Sequence, residues 1–83
     1  MITIYTRDNC QYCDMAKKLL ESREVSYETI NVDLEPEAKE FLFENGHRSV
    51  PQIYKNNQHI PGGYQGLAGM SEEEFNTKIK GKQ

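Results

Sequence analysis

The sequence predicts an α/β domain built on one mixed four-stranded sheet with helices on its faces. Three observations carry this. Segments of strand and helix periodicity alternate in the order β-α-β-α-β-β-α. The first unit is strand, crossover helix, parallel strand, and a second crossover leads into an antiparallel hairpin. No repeat, low-complexity tract or Pro/Gly/Ser-rich linker divides the 83 residues, so one domain is expected over residues 1–83.

Ile2-Thr3-Ile4-Tyr5-Thr6 is short, β-branched and aromatic on both faces, which reads as an inner strand. Arg7-Asp8-Asn9 is turn chemistry. From Gln11 to Ser22 the period becomes helical, with Ala16, Leu19 and Leu20 on the apolar stripe and Tyr12 or Met15 as further members. Ser26 to Asp33 alternates again, placing Ile30 and Val32 on one face and Tyr27 and Thr29 on the other. Glu35-Pro36-Glu37 opens a second helix, because proline suits the first helical position and acids favour the positive end of the dipole. Ala38, Phe41, Leu42 and Asn45 fall on one side of it, and Gly46 suits the residue after its end. Val50 to Tyr54 reads as a strand entered through Pro51. Asn56-Asn57 turns it into Gln58-His59-Ile60. After Pro61-Gly62-Gly63 a third helical region runs in two parts, Tyr64 to about Met70 and Ser71 to Lys80. Ser71 and Glu74 form a capping box, and Gly81 closes the helix.

Composition removes several classes of function. Hydrophobic residues make up 36% of the chain, enough for one core, and the length lies just above the roughly 70–80 residues below which a core needs a staple. Ten Lys+Arg against thirteen Asp+Glu, with no basic run, lack the electrostatic footprint of a nucleic-acid binder. The apolar stretches fall far short of the ~20 residues of a membrane span. Met1-Ile2-Thr3-Ile4 enters a strand pattern directly, without the charged and apolar regions of an export signal, so a cytoplasmic location is expected. A monomer is expected.

Two cysteines, Cys10 and Cys13, are too few and too close to staple a fold, since a bridge between them closes almost no loop. Chemistry is the better reason for the pair. Cys10 falls where a strand gives way to a helix, near unsatisfied N–H groups and the positive end of the dipole. Both favour thiolate, the nucleophile of disulfide exchange. A two-residue spacer on a helical turn brings Cys13 within bridging distance. Cys10 is then the attacking thiol and Cys13 the resolving one. The two histidines, His47 and His59, fit no zinc spacing and read as ordinary polar residues, so no metal is expected.

With these pieces in place the sequence resembles the glutaredoxins over nearly its whole length. The matching pieces are Ile4-Tyr5-Thr6-Arg7 before Cys10-Gln11-Tyr12-Cys13, then Ser49-Val50-Pro51, then Gly62-Gly63-Tyr64. The resemblance implies a thioredoxin fold, a four-stranded mixed sheet flanked by three helices, and glutathione-linked exchange without a bound cofactor, glutathione serving as co-substrate. It assigns Cys10 and Cys13 the catalytic roles. A glutathione site falls to Arg7, Tyr12, Ser49, Val50, Pro51, Gly63, Tyr64 and Gln65, with the Val50–Pro51 bond cis. Three departures stand out. Gln11 replaces the usual proline. Gln65-Gly66 lacks the acid that pairs with the glutathione ammonium. Ala38 occupies a basic or amide position, with Lys39 one step round the helix. Glutathione binding is therefore expected to be weakened, and Gly66→Asp to restore it if Gly66 holds an ordinary helical φ.

Ile30-Asn31-Val32-Asp33 and Pro36-Glu37-Ala38 also resemble the glutaredoxin-like hydrogen donors of ribonucleotide reductase, which thioredoxin reductase reduces. The Ser49-Val50-Pro51 and Gly62-Gly63 pieces favour glutathione as the reductant. Expected partners are glutathione and disulfide-containing proteins, ribonucleotide reductase among them. A [2Fe–2S] carrier, with Cys10 and a glutathione thiol from each of two protomers as ligands, is the rival from another class. A non-catalytic adaptor domain is a further one, disfavoured by the intact cysteine pair.

Overall fold

In the computed structural model, which describes residues 1–81, β1 (Ile2–Thr6) lies inside a four-stranded sheet of order β2-β1-β3-β4. Positions 82 and 83 of the expected domain lie outside the described residues. β2 (Tyr27–Asn31) runs parallel to β1, and β3 (Gln52–Lys55) and β4 (Gln58–Ile60) complete the sheet antiparallel. The inner place of β1 explains its composition: a strand covered on both faces carries Ile2, Ile4 and Tyr5 with the β-branched Thr3 and Thr6 rather than charged residues. Ile4 pairs with Thr29 on one side and Ile53 on the other.

Side-chain alternation divides the core in two. Ile2, Ile4, Ile53 and Ile60 face α1 (Gln11–Ser22), α3 (Gly63–Ala68) and α4 (Glu72–Lys78), which contribute Ala16, Leu20, Leu67 and Phe75. On the opposite face Val32 and Tyr54 pack with Leu42 of α2 (Pro36–Glu44), beside Tyr5, Ala38 and Val50. Tyr5 stacks on Phe41 with ring centroids 5.6 Å apart and meets Tyr54 edge-on. The described helices contain no segment long and apolar enough to cross a membrane.

Among the described residues the third helical region runs in the two parts expected, α3 and α4, breaking at Gly69-Met70 and restarting with Ser71 as N-cap. The Ser71 hydroxyl accepts the Glu74 N–H at 3.1 Å. α4 ends at Lys78, two residues early, as Ile79 turns into the core and Gly81 adopts φ +71°. Tyr12 is 51% exposed and does not join the α1 stripe, whereas Met15 is half-buried. Asn45 is exposed at the end of α2, where its amide donates to the Phe41 carbonyl at 2.8 Å.

Candidate active site

The turn after β1 delivers Cys10 to the start of α1, and side chains from the neighbouring strand hold that turn. Asn31 donates to the Asp8 carboxylate at 3.0 Å and accepts the Asp33 N–H at 2.8 Å. The Asp8 N–H in turn reaches the Asp33 carboxylate at 3.4 Å. Asn9, at φ 57°, turns the chain into the helix, a conformation asparagine tolerates better than most residues.

Cys10 is the N-cap of α1, with extended backbone (φ −110°, ψ 102°), and its Sγ accepts the Cys13 N–H at 3.2 Å. This is the arrangement in which an N-cap oxygen ordinarily satisfies a first-turn donor. A thiolate at Cys10 therefore meets a backbone N–H and the positive end of a twelve-residue helix together. Cys13 is 1% exposed while Cys10 is half-buried, and the two are joined as a disulfide across a Cα–Cα separation of 5.2 Å. Only the outer sulfur faces an incoming disulfide.

Cys10 Sγ lies 3.9 Å from the Val50 carbonyl oxygen, and the Val50–Pro51 peptide bond is cis. From there a cleft of about 470 Å³ opens, walled by Ser49, Val50 and Pro51 on one side and Gly63, Tyr64 and Gln65 on the other. Tyr12 closes one end, its ring 6.2 Å from that of Tyr64. Seven of the eight binding residues expected from the sequence thus line one cleft. Arg7 does not. It lines an adjoining groove, with Lys39 and Arg48, which shares Ser49 and Val50 with the cleft. Gly62, at φ +94°, turns the chain into α3, and Gly63, at φ +59°, follows it. Gly66 has no left-handed φ, yet a Cβ there would overlap the Pro61 carbonyl oxygen and stand 3.1 Å from its carbon. The Gly66→Asp substitution expected to be tolerated is therefore blocked by backbone rather than by φ, and Gln65 is the usable position.

The cleft also holds Gln52 and the two histidines, His47 and His59, that the sequence alone marks only as ordinary polar residues. The imidazoles, twelve positions apart in the chain, sit with ring centroids 4.4 Å apart. His47 Nε2 and the Tyr54 hydroxyl are 2.9 Å apart, as are His59 Nε2 and Gln52 Oε1. Gln52 donates its Nε2 to the Ser49 carbonyl at 2.9 Å, which orients the amide so that His59 is the donor in its pair. Burial first, and the neighbouring His47 second, hold His59 below the ordinary histidine value. No spacing rule flags this pair; register does, since β3–β4 pairing sets His59 opposite Tyr54.

Comparison with known proteins agrees with this geometry. The family model described as Glutaredoxin matches residues 2–60. The glutaredoxin-like protein NrdH of Lactococcus lactis is 40% identical over 62 residues, 75% of this chain and 86% of that protein. A glutaredoxin of Neisseria meningitidis is 42% identical over 74 residues, 87% of this chain and 86% of that protein. Among solved structures, NrdH-redoxin of Escherichia coli, a glutaredoxin-like protein described as having a thioredoxin-like activity profile, superposes with a TM-score of 0.71. It is 38% identical, over 78% of this chain and 84% of that one. The family match, the mixed sheet and the paired cysteines at a helix start converge: the chain belongs to the glutaredoxin family and is a glutaredoxin-like thiol–disulfide oxidoreductase.

Proposed function

We propose that this chain is a dithiol electron donor of the NrdH kind, reduced by thioredoxin reductase, with ribonucleotide reductase as its acceptor. The observation that carries the choice of reductant is the chemistry of the cleft. Among the described residues its lining contains no Asp, Glu, Lys or Arg. Gln65 stands where a carboxylate would pair with the glutathione ammonium, and Ala38 where a basic or amide group would meet its far carboxylate. Each missing charge-assisted contact at a partly exposed site is worth about 1 kcal/mol, or several-fold in affinity. The similarity to NrdH proteins supports the same choice. The sequence reading had favoured glutathione, and the backbone edge at Val50 and the Gly63 turn still favour some use of it.

In the proposed cycle the Cys10 thiolate attacks one sulfur of the acceptor disulfide. A mixed disulfide forms and the first acceptor thiolate leaves. Cys13, deprotonated, then attacks Cys10 Sγ, releases the second acceptor thiolate and leaves the Cys10–Cys13 disulfide described above. Two electrons and two protons from thioredoxin reductase restore the dithiol. Cys10, Cys13 and the cleft residues Tyr12, Ser49, Val50, Pro51, Gly63, Tyr64 and Gln65 are the proposed machinery, with Arg7 at its edge. No bound cofactor is required. The proposed setting is the cytoplasm, where a lone vicinal pair serves exchange rather than stapling.

The test is reconstituted ribonucleotide reduction with NADPH, thioredoxin reductase and this chain as sole carrier. Deoxyribonucleotide should form with the wild-type chain and not with Cys10→Ser. Cys13→Ser should also fail here, yet still exchange with a glutathione mixed disulfide, which needs one thiol. Turnover by Cys13→Ser equal to wild type would contradict the dithiol cycle. A brown, anaerobically purified protein with thiolate-to-iron absorption would favour the cluster carrier instead.

A further inference from the structure

We propose that His47 and His59 determine which disulfides the cleft accepts: carrying one proton between them, they select partners with a carboxylate beside the reacting cystine. The inference deepens the exchange reading above and rests on it.

Four observations lead there. The imidazoles line the cleft itself, half-buried, on the Ser49-Val50-Pro51 side. Each has committed one nitrogen, His47 to Tyr54 and His59 to Gln52. The other nitrogen of each ring has no protein partner, and among the described residues no buried side-chain nitrogen or oxygen lacks one, so these nitrogens reach solvent. Among the described residues the lining holds no Asp, Glu, Lys or Arg, so the pair is the cleft's source of positive charge, with the Cys10 sulfur at its mouth.

With Cys10 held in its disulfide, or replaced, the charge the pair gains is not cancelled nearby. Among the described residues the salt bridges are Lys17–Asp14 and Lys78–Glu74, and neither involves a histidine. Behind His47 the adjoining groove holds Arg7, Lys39 and Arg48 against Asp33 and Glu40. Behind His59 lie Lys55, Lys78 and Glu74. Cations outnumber acids on both sides, so an imidazolium in the cleft finds its counter-ion in a ligand. The phenol facing both rings, Tyr54, is pushed up by burial and carries no charge in this range. Two imidazolium rings at 4.4 Å would repel, so the geometry favours one charge on the pair over two. The single charge stands beside Ser49, whose carbonyl Gln52 ties to His59.

The test compares two cystine peptides that differ by one Glu or Gln next to the reacting cysteine. The ratio of their kcat/KM values cancels the titration of the Cys10 thiol, and the glutamate stays ionised down to about pH 5.5. In the wild-type chain the Glu/Gln ratio should rise about three- to tenfold between about pH 8 and pH 5.5, through KM rather than kcat. In His47→Gln/His59→Gln it should stay flat, whatever happens to the absolute rates. A flat wild-type ratio overturns the proposal, as does an equal rise in the double variant. The same two ratios read as dissociation constants on the Cys10→Ser chain need no exchange. They decide the histidine proposal even if the dithiol cycle fails.

Discussion

The reactivity assigned to Cys10 comes from one local coincidence, a sulfur in the place of an N-cap oxygen. The Cys13 N–H that it accepts is a first-turn donor which the helix cannot satisfy, so an ionised sulfur removes an orphan instead of creating one. Cys10 was legible from the sequence because a strand-to-helix boundary can be read from periodicity. The histidines were not, because β-pairing and a loop bring them together from twelve positions apart. His59 carries its own consequence for stability. Burial, then His47, holds its folded value below 6.5, so the unfolded chain binds the proton more readily. Stability is therefore full above that value and is lost as pH falls through it toward the folded value. Denaturant midpoints measured from about pH 8 to pH 5 should decline in the wild-type chain and decline less in His59→Gln. An identical decline in both would remove His59 as the cause.

At the scale of elements, α3 holds the far wall of the cleft and with α4 closes the first core, and the sequence showed their junction more clearly than their packing. The capping box at Ser71 is a local signal, and the structure keeps it. The contact that seats α3 is not local in kind: Gly66 packs directly on the Pro61 carbonyl, leaving no room for a side chain. Composition alone cannot distinguish such a glycine from one that serves only a turn. The two positions should differ in their response to alanine. Ser71→Ala removes one cap and should cost about 1 kcal/mol in denaturant unfolding, without moving exchange kinetics. Gly66→Ala forces backbone apart, should cost about 1–3 kcal/mol, and should raise KM because Gly63-Tyr64-Gln65 shift with the helix. Equal, small effects from both substitutions would mean that α3 is not seated by this contact.

For the whole molecule, the topology and the position of the cysteine pair follow from alternation, turns and one crossover rule, and these are visible in a single sequence. On the proposed function, what would select the reductant is distributed: charges missing from Gln65 and Ala38, a cleft whose described lining holds no Asp, Glu, Lys or Arg, and basic side chains in the groove beyond Val50. Motifs such as Ser49-Val50-Pro51 report that a cleft exists, not what charge it presents, and for that reason they pointed toward glutathione. On the proposed function this cleft serves a protein reductase better than the tripeptide glutathione. The most direct measurement is the rate at which the oxidised, Cys10–Cys13-bridged chain is reduced. One arm supplies NADPH with thioredoxin reductase; the other supplies glutathione with NADPH and glutathione reductase. Thioredoxin reductase should reduce it at least about tenfold faster, since two missing contacts of about 1 kcal/mol each cost glutathione at least that factor. Reduction by glutathione at an equal or higher rate would contradict the proposed function.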